Sequence, residues 1–216
     1  LGNESITITD NVGDSSHLKA LDAYTLGVIN TESLYSIEGS IQDLNDVYGS
    51  TQISGLNNED ITLTDSEISS TYDVSNLNTL DAYTSGIIDA NTVTNVSGLL
   101  ADLLTSYQAS GITKLGNETI TLKDTTTVAA SDLTNLRTLN SGTLNASSVS
   151  TITGSATEII AVYSDSNITK PSNVDLTVNS GTVSVEQGRS LNTYTVGTIT
   201  GTITSGTTIA QMLDGA

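Results

Sequence analysis

Acidic residues recur at fixed places along this 216-residue chain, and they are the side chains best suited to chemistry. Asp10, Asp65 and Asp124 each follow a short apolar segment, and Asp22 and Asp81 each follow a Leu. Carboxylates aligned on neighbouring segments could supply the several oxygen ligands that Ca²⁺ requires. These five residues are therefore candidate Ca²⁺ ligands. Helix caps, turns and solvated charge explain the same acids and are the favoured interpretation.

The remaining chemistry argues against an enzyme. His17 is the only His, and no equivalent residue occurs elsewhere, so neither a nucleophile–His pair nor a His-rich metal site is supported. Glycoside hydrolysis needs two differentiated carboxylates in a cleft, whereas the acids of this chain have near-copies at regular intervals. We expect no catalytic residues and no cofactor other than the Ca²⁺ of the alternative interpretation.

Two other residue types are placed regularly. Thr alternates with Ile in Ile6-Thr7-Ile8-Thr9, which predicts either a Thr face for ice or crystalline polysaccharide or simply a strand, because Thr favours strands. The regular spacing of Tyr predicts either side chains that pack on the core with the hydroxyl at its rim, or a strip on which carbohydrate stacks. The aligned tyrosines are Tyr48, Tyr107 and Tyr163 in one set and Tyr24 and Tyr83 in another.

These residues recur because the chain is built from tandem copies of one motif of about 56 residues. Residues 1–10 recur as 56–65 and again as 115–124. The copies occupy residues 1–55, 56–114, 115–170 and 171–216, and the last is divergent, with Pro171 in place of the leading Leu. The whole chain is therefore predicted to be a single elongated array.

Two further blocks support this division into copies. Residues 21–25 recur as 80–84, and Leu139 is expected at the equivalent place in the third copy. A Gly is followed nine residues later by a Tyr at Gly39 and Tyr48, and the same spacing recurs in the next two copies.

Each copy contains both strand and helix patterns. The apolar alternation in residues 6–9 and 61–64 is typical of a strand with one buried face. Leu residues spaced by three after Ser16, Ser75 and Asp132 indicate one or two helical turns, and the Gly-to-Tyr block has the spacing of a short amphipathic helix.

Short pieces that stack copy upon copy predict a mainly β repeat solenoid. The preferred architecture is a right-handed parallel β-solenoid, or β-helix, with short helical turns. The alternative is a mixed α/β solenoid resembling leucine-rich repeats, because helix and strand are hard to separate in such short apolar runs.

Composition excludes several partners. Six basic residues stand against 24 acidic ones, and a net charge of -18 repels nucleic acid and anionic membranes. The absence of Trp, Phe and Cys leaves a thin core of Leu, Ile and Val without disulfides. No run approaches the 18 apolar residues of a membrane span, so we expect no membrane insertion.

The chain resembles the repeat modules of giant secreted or cell-surface proteins of marine picocyanobacteria, and similar modules in phage structural proteins. The matching stretches are residues 115–124, 129–133 and 142–163. The resemblance covers copies two and three and weakens in copy four. It implies a surface-layer, motility-associated or adhesive role.

Repetition and resemblance together predict a structural or adhesive segment of a large extracellular surface protein, acting as a stalk. We expect it to lie outside the cell, within a longer polypeptide whose export signal lies elsewhere, with neighbouring copies of the same polypeptide as its main partners. One alternative is a module that binds polysaccharide or ice through Ca²⁺ or a Thr/Tyr face. Another is a phage tail-fibre segment, which would form a homotrimer.

Overall fold

Short strands and helices alternate along the part of the chain that the structure, a computed structural model, describes: residues 2–203. Within that range the strands form four parallel sheets and seven helices lie between them, so the fold is α/β. The chain forms two compact units, which divide between Glu118 and Thr119.

The first unit has two complete sheets, one of strands β1, β3 and β5 and one of β10, β8, β6, β4 and β2 in spatial order, and a separate pairing of β7 with β9. Helices α1 to α4 pack in sequence order, each on the next. The elements are β1 (Ile6–Thr7), β2 (Val12–Asp14), α1 (Ser15–Asp22), β3 (Ile29–Asn30), β4 (Ser36–Gly39), α2 (Ile41–Gly49), β5 (Ile53–Ser54), β6 (Asp60–Leu63), β7 (Glu67–Ile68), α3 (Val74–Tyr83), β8 (Ile88–Asp89), β9 (Asn95–Gly98), α4 (Leu100–Gln108) and β10 (Ile112–Thr113).

The second unit has one complete sheet of strands β12, β14, β16 and β17, and a run of β11, β13 and β15. Helix α6 packs against both α5 and α7. The elements are β11 (Thr119–Leu122), β12 (Thr127–Ala129), α5 (Ala130–Leu139), β13 (Leu144–Asn145), β14 (Thr151–Ser155), α6 (Ala156–Ser164), β15 (Ile168–Thr169), β16 (Asp175–Ser180), α7 (Val185–Tyr194) and β17 (Ile199–Thr200).

The predicted mainly β solenoid, with its right-handed β-helix, is therefore wrong. The Leu-spaced runs, expected to supply only one or two turns, are helices of eight to ten residues, whereas many strands have only two. Alternation of apolar and polar residues lasts for only one or two pairs before a turn residue ends it, but the helical spacing continues for two to three turns.

Each of the first three copies folds into the same order of seven elements, β-β-α-β-β-α-β. Paired strands lie about half a copy apart, since Ile29 pairs with Ile6 on one side and with Ile53 on the other. Ile88 and Leu144 hold the same central position between their own neighbours. One copy therefore consists of two strand–helix halves, a period that the sequence comparison does not reveal.

The core is built from these in-register Ile and Leu residues and from the inward face of each helix. Leu44, Leu77 and Leu103 on successive helices are fully buried, as are Ile29 and Ile88 on the strands. Burial of such side chains contributes about 1.5–3 kcal/mol each. None of the helices in residues 2–203 combines the length and apolar character needed to cross a membrane.

Side-chain caps determine where most helices begin. The cap of α1 is Asp14, whose carboxylate accepts from the Ser16 amide at 2.8 Å, and the cap of α3 is Asp73. The predicted starters Ser16 and Ser75 thus lie two residues inside the caps. Asp132 also lies inside its helix, which no side chain caps.

A buried Thr fixes the connection from a helix to the next strand. Thr84 Oγ1 donates to the Glu59 carbonyl oxygen at 2.9 Å and accepts from the Gly86 amide at 2.9 Å. Thr25 with Gly27, and Thr195 with Gly197, make the same pair of bonds. This Thr-x-Gly connection satisfies polar groups that would otherwise be buried without partners.

The third copy departs from the predicted alignment here. Asn140 and Gly142 replace the Thr and Gly, so the equivalent of Leu80 is Leu136 and not Leu139. Both Leu80 and Leu136 are fully buried, and each accepts from the amide four residues later.

We predict that Gly86→Ala destabilises the fold by about 1–3 kcal/mol, the usual cost of forcing a methyl group into a filled site. A Cβ there would lie 2.2 Å from the Glu59 carbonyl oxygen. The matched control is Gly49→Ala at the end of α2, where the nearest atom is the Tyr83 hydroxyl at 3.9 Å. Urea unfolding of the two variants provides the measurement, and equal stabilities would contradict the prediction.

Candidate functional site

One candidate Ca²⁺ ligand, Asp65, serves as a helix cap. Its Oδ2 accepts a hydrogen bond of 2.7 Å from the Ile41 amide, the first residue of α2, which lies 24 residues earlier. A carboxylate at a helix N-terminus satisfies a free amide and interacts favourably with the helix dipole.

Asp22 and Asp81 occupy equivalent positions in α1 and α3, and both face neighbouring backbone or side chains. The oxygens of Asp22 accept from Ser50 Oγ at 3.0 and 3.1 Å. Asp81 lies against Gly111, where an added Cβ would come 2.3 Å from Oδ1. Burial raises the pKa of the Asp81 carboxyl above its ordinary value.

The remaining two candidates lie apart from these. Asp10 is exposed and lines a small cavity of about 250 Å³ with Asp14, His17 and Glu38. Asp124 follows β11, and its main-chain carbonyl accepts from Ser148 Oγ at 2.8 Å. Among residues 2–203, no group of three or more His or acidic side chains is arranged to hold a metal ion. The structure therefore does not bring the five candidates together.

The predicted Thr face is interrupted. In the first copy Thr7 pairs with Asn30 and Asn30 with Ser54, and in the second Thr62 pairs with Asp89. The oxygens of these Asn and Asp side chains accept from the amide two residues later and thereby form the turn that ends the strand. An Asx residue that belongs to a turn thus stands at the centre of each row.

A continuous row of Thr occurs only in the second unit. Thr153 pairs with Thr177, and Thr177 pairs with Thr200, on neighbouring strands. Two of the three are half-buried, so this row offers little flat surface. The Thr/Ile alternation also predicts a Thr face over residues 198–204, and Thr204 lies outside the described residues.

Two pairs of tyrosines stack across neighbouring helices. Tyr48 at the end of α2 stacks on Tyr83 at the end of α3, with ring centroids 5.9 Å apart. Tyr163 and Tyr194 stack in the same way at 4.7 Å. These four rings therefore pack against one another in pairs, as the packing interpretation expects, whereas Tyr24 is 68% exposed.

A buried carboxylate lies where copy one meets copy two. Glu59 is 1% exposed, yet its carboxylate accepts from the Tyr48 hydroxyl at 3.2 Å and from the amides of Asn57 and Asn58. The main-chain carbonyl of Glu59 accepts a hydrogen bond from the Thr84 hydroxyl. We call the set Tyr48, Glu59, Asp65 and Tyr83 the copy junction.

The same Tyr–Glu bond recurs at the end of copy two. The Tyr107 hydroxyl donates to Glu118 Oε2 at 2.7 Å, and the same carboxylate accepts from the Gly116 and Asn117 amides. Burial, reinforced by the neighbouring carboxylate, raises the pKa of Tyr48 and Tyr107 far above the ordinary value for tyrosine. Both hydroxyls consequently stay protonated and act as hydrogen-bond donors.

At the end of copy three the bond is lost. Val174 stands where Glu59 and Glu118 stand, and the buried Tyr163 hydroxyl has no hydrogen-bond partner. Burial raises the pKa of Tyr163 to about 12. The Lys170 ammonium lies 5.4 Å from the Tyr163 ring and donates to the last carbonyls of α6, including that of Val162. This junction keeps the stacked rings and lacks the carboxylate.

Glu59 and Glu118 were not among the residues singled out from the sequence, although the pattern contains a signal for them. A Glu follows the last Tyr of copies one and two at a spacing of eleven residues, and copies one to three all begin with Leu-x-Asn-Glu. The chemistry of these groups is structural. Each of them binds the turn that begins a copy to the helix that precedes it.

We predict that Tyr107→Phe costs about 1.5–3 kcal/mol, since it removes a hydrogen bond to a buried charged group. Tyr163→Phe is the matched control, and it is expected to be neutral or stabilising because that hydroxyl has no partner. Urea unfolding of both variants measures the difference. Similar losses in the two would show that the Tyr–Glu bond does not stabilise the junction.

Compared with known proteins, the chain matches no family model, no curated protein and no solved structure.

Proposed function

We propose that the chain is a structural segment of a large extracellular surface protein, in which copies of one motif are joined in series. The observation that supports this most directly is the Tyr–Glu hydrogen bond at the copy junction, from Tyr48 to buried Glu59, which recurs from Tyr107 to buried Glu118. A buried carboxylate is costly unless it is fully hydrogen-bonded. Its recurrence at copy boundaries indicates a scaffold built to keep copies in register.

The positions of the other reactive groups support the same proposal. Asp65 caps a helix, Asp22 binds Ser50, and the centre of each Thr row is a turn residue. Of the basic side chains, Lys19 pairs with Asp43 and Asp46, and Arg137 pairs with Asp165. Several of the groups that the alternative functions would use therefore contribute to the scaffold instead.

The outer surface fits a protein that works in water and avoids sticking to polyanions. A net charge of -18 keeps copies of the chain apart by mutual repulsion and disfavours nucleic acid and anionic lipid. Adhesion, if the parent protein provides it, would then come from other parts of the polypeptide or from specific exposed side chains such as Tyr35.

We predict that removal of divalent cations leaves the melting temperature unchanged within about 1 °C, since a ligand that binds only the folded state would raise it by mass action. The five candidate acids are dispersed and several are engaged in hydrogen bonds. Thermal melts in EDTA and in millimolar CaCl₂ test this. A clear rise with Ca²⁺ would favour the Ca²⁺-dependent ligand-binding alternative.

The location of the protein tests the proposal itself. An antibody raised against residues 1–216 should label intact source cells, because we place the segment on the outer surface. An antibody to a cytoplasmic enzyme, applied in parallel, controls for cell integrity. Label that appears only after permeabilisation would contradict an extracellular role.

A further inference from the structure

The first copy carries on one edge the same groups that form the copy junction between copies one and two. Glu4, Asp10 and Tyr24 occupy the places of Glu59, Asp65 and Tyr83 in the repeated pattern. Glu59 is buried, whereas Glu4 and Asp10 are exposed. Tyr24 is 68% exposed, against 42% for Tyr83, whose ring is covered on one side by Tyr48.

Within the described part of the chain, one side of strand β1 at this edge has no neighbouring strand. Strand β1 lies at the edge of its sheet and pairs on one side with β3. Its equivalent in the second copy, β6, pairs with β8 on one side and with β4 of the preceding copy on the other. In that second pairing the Asp60 and Thr64 amides donate to carbonyls at the two ends of β4.

The turn that holds the Glu4 carboxylate at this edge contains one of the hydrogen bonds seen at the other copies. The Gly2 amide donates to the Glu4 carboxylate, as the Gly116 amide donates to Glu118. Residues 1–4 read Leu-Gly-Asn-Glu, and residues 115–118 read the same. Both turns therefore present the same carboxylate, one with a tyrosine hydroxyl bound and one without.

We propose that the edge formed by β1, Glu4, Asp10 and Tyr24 is a docking surface for the strand–helix half that ends another copy of this motif. The incoming half would add a strand to β1, place its helix N-terminus on Asp10, donate its Tyr hydroxyl to Glu4 and stack that ring on Tyr24. Addition of a strand to an exposed edge is a recurring mode of recognition. The inference rests on the proposed scaffold function and names the partner of this surface.

Residues 95–114 supply the matching half, because they precede a Leu-Gly-Asn-Glu turn and contain Tyr107, the donor to Glu118. The test joins a second copy of residues 95–114 directly before Leu1 of the full chain. Hydrogen exchange then reports on the amides of residues 2–10 without depending on global unfolding. An extension of the same composition in scrambled order is the control.

The expected result is slower exchange at residues 5–9 by at least about tenfold, and a melting temperature higher by about 4 °C or more. Glu4→Ala should remove much of this gain in the extended chain and have little effect in the original chain, where Glu4 is exposed. Tyr→Phe at the tyrosine of the added segment that corresponds to Tyr107 should act like Glu4→Ala.

Equal exchange in the authentic and scrambled extensions would overturn the inference, as would an equal effect of Glu4→Ala with and without the extension. Protection of residues 2–10 in the original chain that rises with protein concentration would assign the edge to self-association and also overturn it. None of these outcomes depends on where the protein resides in the cell, so the extracellular proposal is tested separately.

Discussion

The rest of the structure depends on how the main-chain amides of the turn that begins each copy find hydrogen-bond partners inside the protein. Strands of two to four residues cannot hold such a turn in place by their own ladder hydrogen bonds. Glu59 holds the turn instead. Its carboxylate accepts hydrogen bonds from two turn amides and from the Tyr48 hydroxyl, and its main-chain carbonyl accepts one from the Thr84 hydroxyl. Helices on both sides of the turn are thereby connected to one residue.

The positions of many strands and helices could be predicted from the sequence, but their relative lengths could not. The strand around Ile61 and helix α2, which contains Tyr48, lie where apolar spacing indicates them. Helix α3 is longer than its Leu spacing indicates, because it begins one residue before Ser75, after the cap Asp73, and continues past Leu80 to Tyr83. The spacing thus indicates helices that are too short, which favours a mainly β fold where the structure is α/β.

The roles of the acids were harder to infer because their partners are distant in the sequence. Asp65 recurs at a fixed place whether it binds Ca²⁺ or caps a helix, and its partner, the Ile41 amide, becomes visible only once the strand register is known. Glu59 was overlooked for the same reason. An acidic residue that recurs at a fixed place shows that the position is constrained. The partner that constrains it is known only once the strand pairing is known.

The divergent third junction separates the two contributions that hold copies together. Val174 removes the carboxylate, yet the Tyr163 and Tyr194 rings lie closer together than Tyr48 and Tyr83 do, at 4.7 against 5.9 Å. Ring stacking, apolar burial and the hydrogen bonds of Lys170 hold the helices together at this junction. The Tyr–Glu bond adds a directional requirement, because a buried carboxylate that loses its donors is penalised and a shifted register would remove those donors. The junction at Glu59 is thus held to one register, whereas the junction at Val174 has no carboxylate to enforce one.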